Sequence, residues 1–156
     1  MAAVVAKGRT SGGGGAAGYA LRVLAVMLGV FLILSGVAKL AWFTDSTILS
    51  RQLEEWRQRA APGARWYIET VASPGVPLFA RLVPLVELVT GVALVLGFWI
   101  RLAAALAFLL VANFLLAQGF FYEWQVLADG AGLPLLGGLL ALMIGGARLP
   151  LSVSRQ

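Results

Sequence analysis

The sequence predicts an all-α integral membrane four-helix bundle, with an interfacial amphipathic helix between its first two spans, and three observations carry that prediction. Hydrophobic residues make up 60% of the 156 and the mean hydropathy is +0.90, far above the soluble range. Apolar stretches at residues 19–43, 76–100 and 101–118, with a last one at 131–149, match the length needed to cross a hydrocarbon core of about 30 Å. The segment between the first two stretches is instead charged and aromatic.

Residues 1–18 are rich in Ala and Gly, contain Lys7 and Arg9, and show no apolar period. They read as a flexible tail. In the first stretch, Arg22 precedes an apolar run and Gly36-Val37-Ala38 resembles a signal-peptidase site. The run nevertheless continues to Trp42-Phe43, which favours a spanning helix over a cleaved leader.

Between Thr44 and Gly75, Asp45 or Ser46 is placed to cap a helix on which Ile48, Leu49, Leu53, Trp56 and Ala60 share one face. Arg51, Glu54, Glu55, Arg57 and Arg59 occupy the rest, and Pro62-Gly63 ends it. Such a helix is expected in the interface plane, with Trp56 in the acyl boundary. Ser73-Pro74-Gly75 then turns the chain back into the bilayer.

The second and third spans meet at a tight turn around Gly97-Phe98-Trp99, so they are antiparallel neighbours. The fourth has Pro134 in its first turn, where a missing N–H does no harm. Residues 151–156 form a short tail. Four spans put both termini on one side, with Lys7, Arg9, Arg22, Arg101, Arg148 and Arg155. The other side has Arg51, Arg57, Arg59 and Arg65 in its first loop and none in its second. This bias predicts both termini in the cytoplasm, and the expected location is a bacterial-type cytoplasmic membrane.

Cys and His are absent, which excludes thiol redox chemistry, iron–sulfur and zinc–thiolate sites and His-ligated haem. No metal site, no covalently bound cofactor and no catalytic activity of its own are expected. The basic residues form no stripe with interleaved aromatics, so nucleic acid is not an expected partner; the lipid bilayer is.

Small residues that let helix backbones approach closely recur as Gly29 on the first span, Gly91 on the second and Gly137, Ala141 and Gly145 on the fourth. On that reading Leu139 lies on the opposite, more tolerant face.

Glu87 lies in the middle of the second span, where a carboxylate costs roughly 2.5–3.5 kcal/mol to insert and needs a partner, a proton or a watery cavity. It marks either a ligand or proton site or an interhelical lock. Asn113, about 18 Å along the third span, reaches a depth similar to that of Glu87, about 16 Å along the second, so geometry allows a Glu87–Asn113 hydrogen bond; Lys39 is the other candidate partner. Lys39 and Arg81 also have stems long enough to snorkel to the headgroups. Gln118, Tyr122, Trp124 and Trp42 gather at the same end, as an aromatic belt or as the mouth of a ligand site.

Leu34-Ser35-Gly36-Val37-Ala38-Lys39-Leu40, the run from Phe79 through Arg81 and Pro84 to Glu87-Leu88, and Leu96-Gly97-Phe98-Trp99-Ile100-Arg101 stand in an order and spacing that resemble the DoxX family of small four-span membrane proteins. With the closing Gly145-Gly146-Ala147-Arg148-Leu149, the resemblance covers Leu21 to Val153. It implies a four-helix membrane domain over residues 19–150, and Lys39, Glu87 and Arg101 look like its recurrent polar residues. It also implies association with membrane oxidoreductases, since relatives include subunits linked to thiosulfate:quinone oxidoreduction and proteins of methylamine-dehydrogenase maturation. The expected role is therefore an accessory subunit that binds a quinone or similar amphiphile and serves a redox-enzyme partner. The alternatives are a structural or assembly factor and, third, a small-solute transporter, disfavoured by the short chain and the lack of an inverted repeat.

Overall fold

The computed structural model describes residues 15–119, 132–147 and 149–153. Six α-helices are present among them: α1 (Ala16–Ala38), α2 (Thr47–Arg59), α3 (Pro62–Tyr67), α4 (Val76–Leu96), α5 (Ile100–Gln118) and α6 (Leu133–Gly145). A 3₁₀ turn, Leu40–Phe43, follows α1, and a π turn, Ile68–Ala72, follows α3. Helices α1, α4 and α5 are each long and apolar enough to cross a membrane. The protein is a multi-pass membrane protein.

The four apolar helices form a ring in which α1 packs on α4, α4 on α5, α5 on α6 and α6 on α1. Each neighbour is antiparallel. Along α1 and α4, Gly29 meets Gly91 and Gly36 meets Pro84 and Leu88, while along α1 and α6 Leu28 meets Gly138 and Leu21 meets Gly145. The buried residues of α4 recur at three- and four-residue steps, Val76, Ala80, Val83, Glu87, Thr90 and Leu94, so Glu87 stands in the packing seam. The four helices are largely apolar around their circumference, and close approach at glycine, not hydrophobicity, selects the seam. A Cβ on Gly29 would lie 2.7 Å from the Gly91 carbonyl oxygen, and one on Gly91 would lie 2.8 Å from that of Gly29.

The α4–α5 turn shows how a helix end is closed inside a bundle. Gly97 takes a left-handed φ of 77°, its N–H bonds the Leu94 carbonyl and the Phe98 N–H bonds that of Ala93, the Schellman arrangement. Arg22 reaches across from α1 to the carbonyls of Leu94 and Val95, at 2.8 and 2.6 Å, and the Val153 N–H takes that of Leu96. The last four carbonyls of α4 are all satisfied, with a cation at the negative end of the helix dipole. Arg101 does the same for α6 through the Met143 carbonyl at 2.7 Å.

Three expectations change. First, α6 has 13 residues, Leu133–Gly145, about 20 Å at 1.5 Å per residue, and so is shorter than the 131–149 span; Gly146 ends it. Second, its packed face is Leu135, Leu139 and Leu142, with Leu139 and Leu142 fully buried. Gly137 is exposed, with nothing within 4 Å of an added Cβ, so it belongs to no seam, and Ala141 is only half-buried. Gly138 and Gly145 make the close contacts instead, with Leu28 and Leu21 of α1. Helices of this composition leave the sequence without a polar face from which to read the phase.

Third, α2 does not aim its apolar face at lipid. Leu49 and Leu53 are buried and Trp56 is partly buried, in one core cluster with Ala80 and Val83 of α4 and Ala117 of α5. The amphipathic pattern is as expected, but the surface it covers is protein. Asp45 accepts from the Thr47 N–H at 2.9 Å and its hydroxyl at 2.6 Å, fixing the start of α2. Arg57 clasps Glu54 in a two-point pair at 2.6 and 2.8 Å and touches Glu69 at 3.3 Å, fastening α2 to the π turn.

Candidate functional site

Ser35 and Lys39 are one turn apart at the end of α1, on the side that faces α4. Side chains on a helix tilt toward its N-terminus, which for Lys39 means back into the bundle. Its ammonium consequently lies 2.8 and 2.9 Å from the two carboxylate oxygens of Glu87. It also donates to the Ser35 hydroxyl at 2.5 Å and approaches the Ser35 carbonyl at 3.3 Å. The same hydroxyl donates to Glu87 Oε1 at 3.1 Å. Lys39, Ser35 and Glu87 thus close a triangle in which the hydroxyl accepts from the cation and donates to the anion. Trp42 and Phe114 place their ring centroids 5.9 and 5.8 Å from the ammonium, within cation–π range.

Glu87 is 5% exposed. A charge that deep is tolerable when paired and hydrogen-bonded, because removing either partner leaves the other stranded in low dielectric. Thr90, one turn further on, bonds its own helix at the Val86 carbonyl, 2.6 Å away, and takes no part in the triangle.

The triangle forms one wall of a cavity of about 160 Å³ that also receives Gln52 from α2, Gln118 from α5 and Leu135 from α6. Helices α1, α2, α4, α5 and α6 all contribute to it. Its remaining walls are apolar, including Phe31, Val111 and Phe114. A second cavity of about 260 Å³ lies between α2, α4 and α5, lined by aliphatic and aromatic side chains and by Asn113. Trp56 and Phe114 line both, packed edge to face with centroids 6.2 Å apart.

Of the residues singled out from sequence, Glu87, Lys39 and Gln118 come together at the polar cavity. Lys39 does not snorkel outward. Asn113 does not reach Glu87: its carbonyl accepts from the Tyr67 hydroxyl at 2.8 Å, because its face of α5 turns toward α3 and the second cavity. Arg81 is exposed and makes no hydrogen bond or ion pair among the described residues. Tyr122 and Trp124 lie outside the described residues. Trp42 is buried beside the ammonium. Sequence reasoning passed over Ser35, Gln52 and Phe114; the four-residue step from Ser35 to Lys39 was a readable signal, whereas Gln52 enters only because α2 folds onto the bundle.

The DoxX family model matches residues 20–119, about two thirds of the chain. The chain belongs to the DoxX family. The matched region of this DoxX protein contains its first three spans, the segment carrying α2 and α3, and all three members of the triangle. No curated protein and no solved structure matches it.

Chemically, the arrangement offers a neutral ion pair in contact with a small cavity. An incoming carbonyl or hydroxyl group would find donors on Lys39, Gln52 and Gln118 and an acceptor on Glu87. Among the described residues no three His, Cys, Asp or Glu side chains cluster to hold a metal ion.

Proposed function

We propose that this DoxX protein is an accessory membrane subunit that binds the uncharged polar head of a quinone or similar amphiphile at the Lys39–Ser35–Glu87 triangle, on behalf of a redox-enzyme partner. The observation that carries the reading is a paired Lys and Glu lining a cavity toward the loop end of a largely apolar bundle, with two further amide side chains, Gln52 and Gln118, on its walls. Intramembrane ionisable residues that line a cavity are characteristic of ligand or proton handling. The ammonium would donate to a head-group oxygen, and the carboxylate would accept a proton that a quinol head releases when the redox partner takes its electrons. The distribution of Lys and Arg supports a cytoplasmic membrane with both termini inside.

Purification in native nanodiscs followed by solvent extraction tests this directly. Quinone should copurify at a ratio above its share of the surrounding lipid, and a water-soluble quinone should quench tryptophan fluorescence saturably in wild type and not in Glu87→Leu. Failure on both counts removes the reading.

A second reading has a specific observation of its own: both Glu87 oxygens are already satisfied within the protein, as in an interhelical lock. Under that reading Glu87→Gln, which keeps the shape and most of the hydrogen bonds, leaves partner activity unchanged.

A further inference from the structure

We infer that the apolar cavity between α2, α4 and α5 is the chain-binding half of the same site, reached sideways from the bilayer, and that the Trp56–Phe114 pair is the partition across which a single-chain amphiphile lies. This rests on the head-group reading above and adds where the chain goes, how it arrives and which residues select it.

Size is the first argument. Cavities of about 160 and 260 Å³ each fall short of the range of about 300–1,000 Å³ usual for small-molecule sites, while the two together reach it. Chemistry is the second. The smaller cavity holds the ion pair and two amides; the larger is hydrocarbon apart from Asn113, whose carbonyl is occupied by Tyr67. One cavity suits a polar head and the other a chain.

Access is the third. Leu82 of α4 and Leu106 and Leu109 of α5 line the larger cavity and are 42, 46 and 65% exposed on the outer surface of the spans, which in a membrane faces lipid. The opposite end is closed by buried Leu49, Leu53 and Ala72. The opening therefore admits a chain from the hydrocarbon region and not from water.

The partition is the fourth. Two aromatic rings in edge-to-face contact, one on α5 and one on the extramembrane helix α2, are the residues common to both cavities. Rotation of Trp56 or a small outward shift of α2 joins the cavities without moving a spanning helix. Because the chain leaves one apolar medium for another, transfer from water contributes nothing to selection; packing against these walls does.

Two quinones with one head group, one lacking a chain and one with a ten-carbon chain, are titrated in nanodiscs with the concentration in the membrane held equal. The chain should tighten binding about tenfold, equivalent to about 1.4 kcal/mol. Val86→Phe, whose side chain lines the larger cavity and not the polar one, should remove that difference and leave the chainless compound unaffected. Leu106→Trp fills the same space from α5, and circular dichroism and size-exclusion profiles establish that each variant is folded. A chain carrying a terminal bromine should quench Trp56, so that Trp56→Phe loses the added quenching. Equal binding of both compounds in wild type, which would mean that bulk lipid chains occupy the cavity, or a chain preference that survives both filled variants, which would mean that the chain lies elsewhere, overturns the proposal and leaves the head-group reading standing. No saturable binding of either compound overturns both.

Discussion

The Lys39 ammonium reaches both oxygens of the Glu87 carboxylate, at 2.8 and 2.9 Å, by running back along its own helix past Ser35. An ion pair so placed joins α1 to α4 below the loop end of the bundle, and its side chains are 21 and 7% exposed. Two opposite charges of this kind are far less costly together than either is alone.

Lys39→Met and Glu87→Leu should each destabilise the protein by about 3–5 kcal/mol, since each strands the other's charge. The double variant should recover much of that loss. Unfolding of all four proteins in one detergent gives the cycle, and purely additive effects would show that the pair is not coupled.

The close approach of α1 and α4 at Gly29 and Gly91 sets a sharper test of packing. An added methyl group at either glycine meets backbone oxygen within 2.8 Å, and a backbone cannot step aside as a side chain can. Gly29→Ala or Gly91→Ala should cost about 1–3 kcal/mol, as overpacking does. Gly137→Ala adds its methyl in open space and should be neutral or slightly stabilising through helix propensity. Equal effects at the three positions in thermal unfolding would refute the seam.

The first three spans, the order of the helices and the amphipathic pattern of α2 could be read from sequence because hydropathy and period encode them directly. Glu87 stood out for the same reason, as a charge inside hydrocarbon. Its partner did not follow: Asn113 satisfied the depth argument and Lys39 stood as the other candidate, and only the rotation of α5 about its axis decides between them. That rotation is set by packing of residues such as Ala103 and Ala107, which are buried, and the depth of Asn113 alone does not encode it. The same ambiguity hid the buried face of α6, where no polar residue marks the outward side. The docking of α2 was hidden for another reason, since an apolar face has the same pattern whether it meets lipid or protein.

With Asn113 bonded to Tyr67, the two should matter to α3 and not to the ion pair. Tyr67→Phe should cost about 1 kcal/mol, the net worth of one hydrogen bond, and leave binding at the triangle unchanged. Asn113→Leu removes the acceptor and should likewise leave head-group binding at the triangle unchanged. A loss of head-group binding in either variant would restore a direct link from Asn113 to Glu87.

Acid should loosen α2 before the spans. The Thr47 hydroxyl, with help from the Thr47 N–H and the charge of Arg51, holds the Asp45 carboxyl below its ordinary value of 3.8. Hydrogen bonding by Arg57 holds Glu54 below 4.5. A lowered native pKa contributes stability that is fully present above the unfolded value and is lost as pH falls through the native one, so the effect is confined to pH below about 4.5. Both groups are exposed and the contribution is small. Carbon-13 carboxyl titrations should show both values lowered, with Arg57→Gln returning Glu54 alone toward 4.5; an unmoved Glu54 would mean that the Arg57 pair is not formed in the membrane.

Orientation follows from the unequal distribution of Lys and Arg between the two ends, and it has a direct chemical test. Basic residues near a span resist translocation, so the end carrying Lys7, Arg9, Arg22 and Arg101 should remain inside, with α2 and α3 outside. Ser50 is exposed on α2, and the chain has no cysteine of its own, so a single introduced thiol reports without background. Ser50→Cys should react with a membrane-impermeant maleimide in intact cells, while Ser11→Cys should react only after the membrane is opened. The reverse pattern would place the polar cavity nearer the cytoplasmic face, and any redox partner meeting α2 would then have to be sought inside the cell.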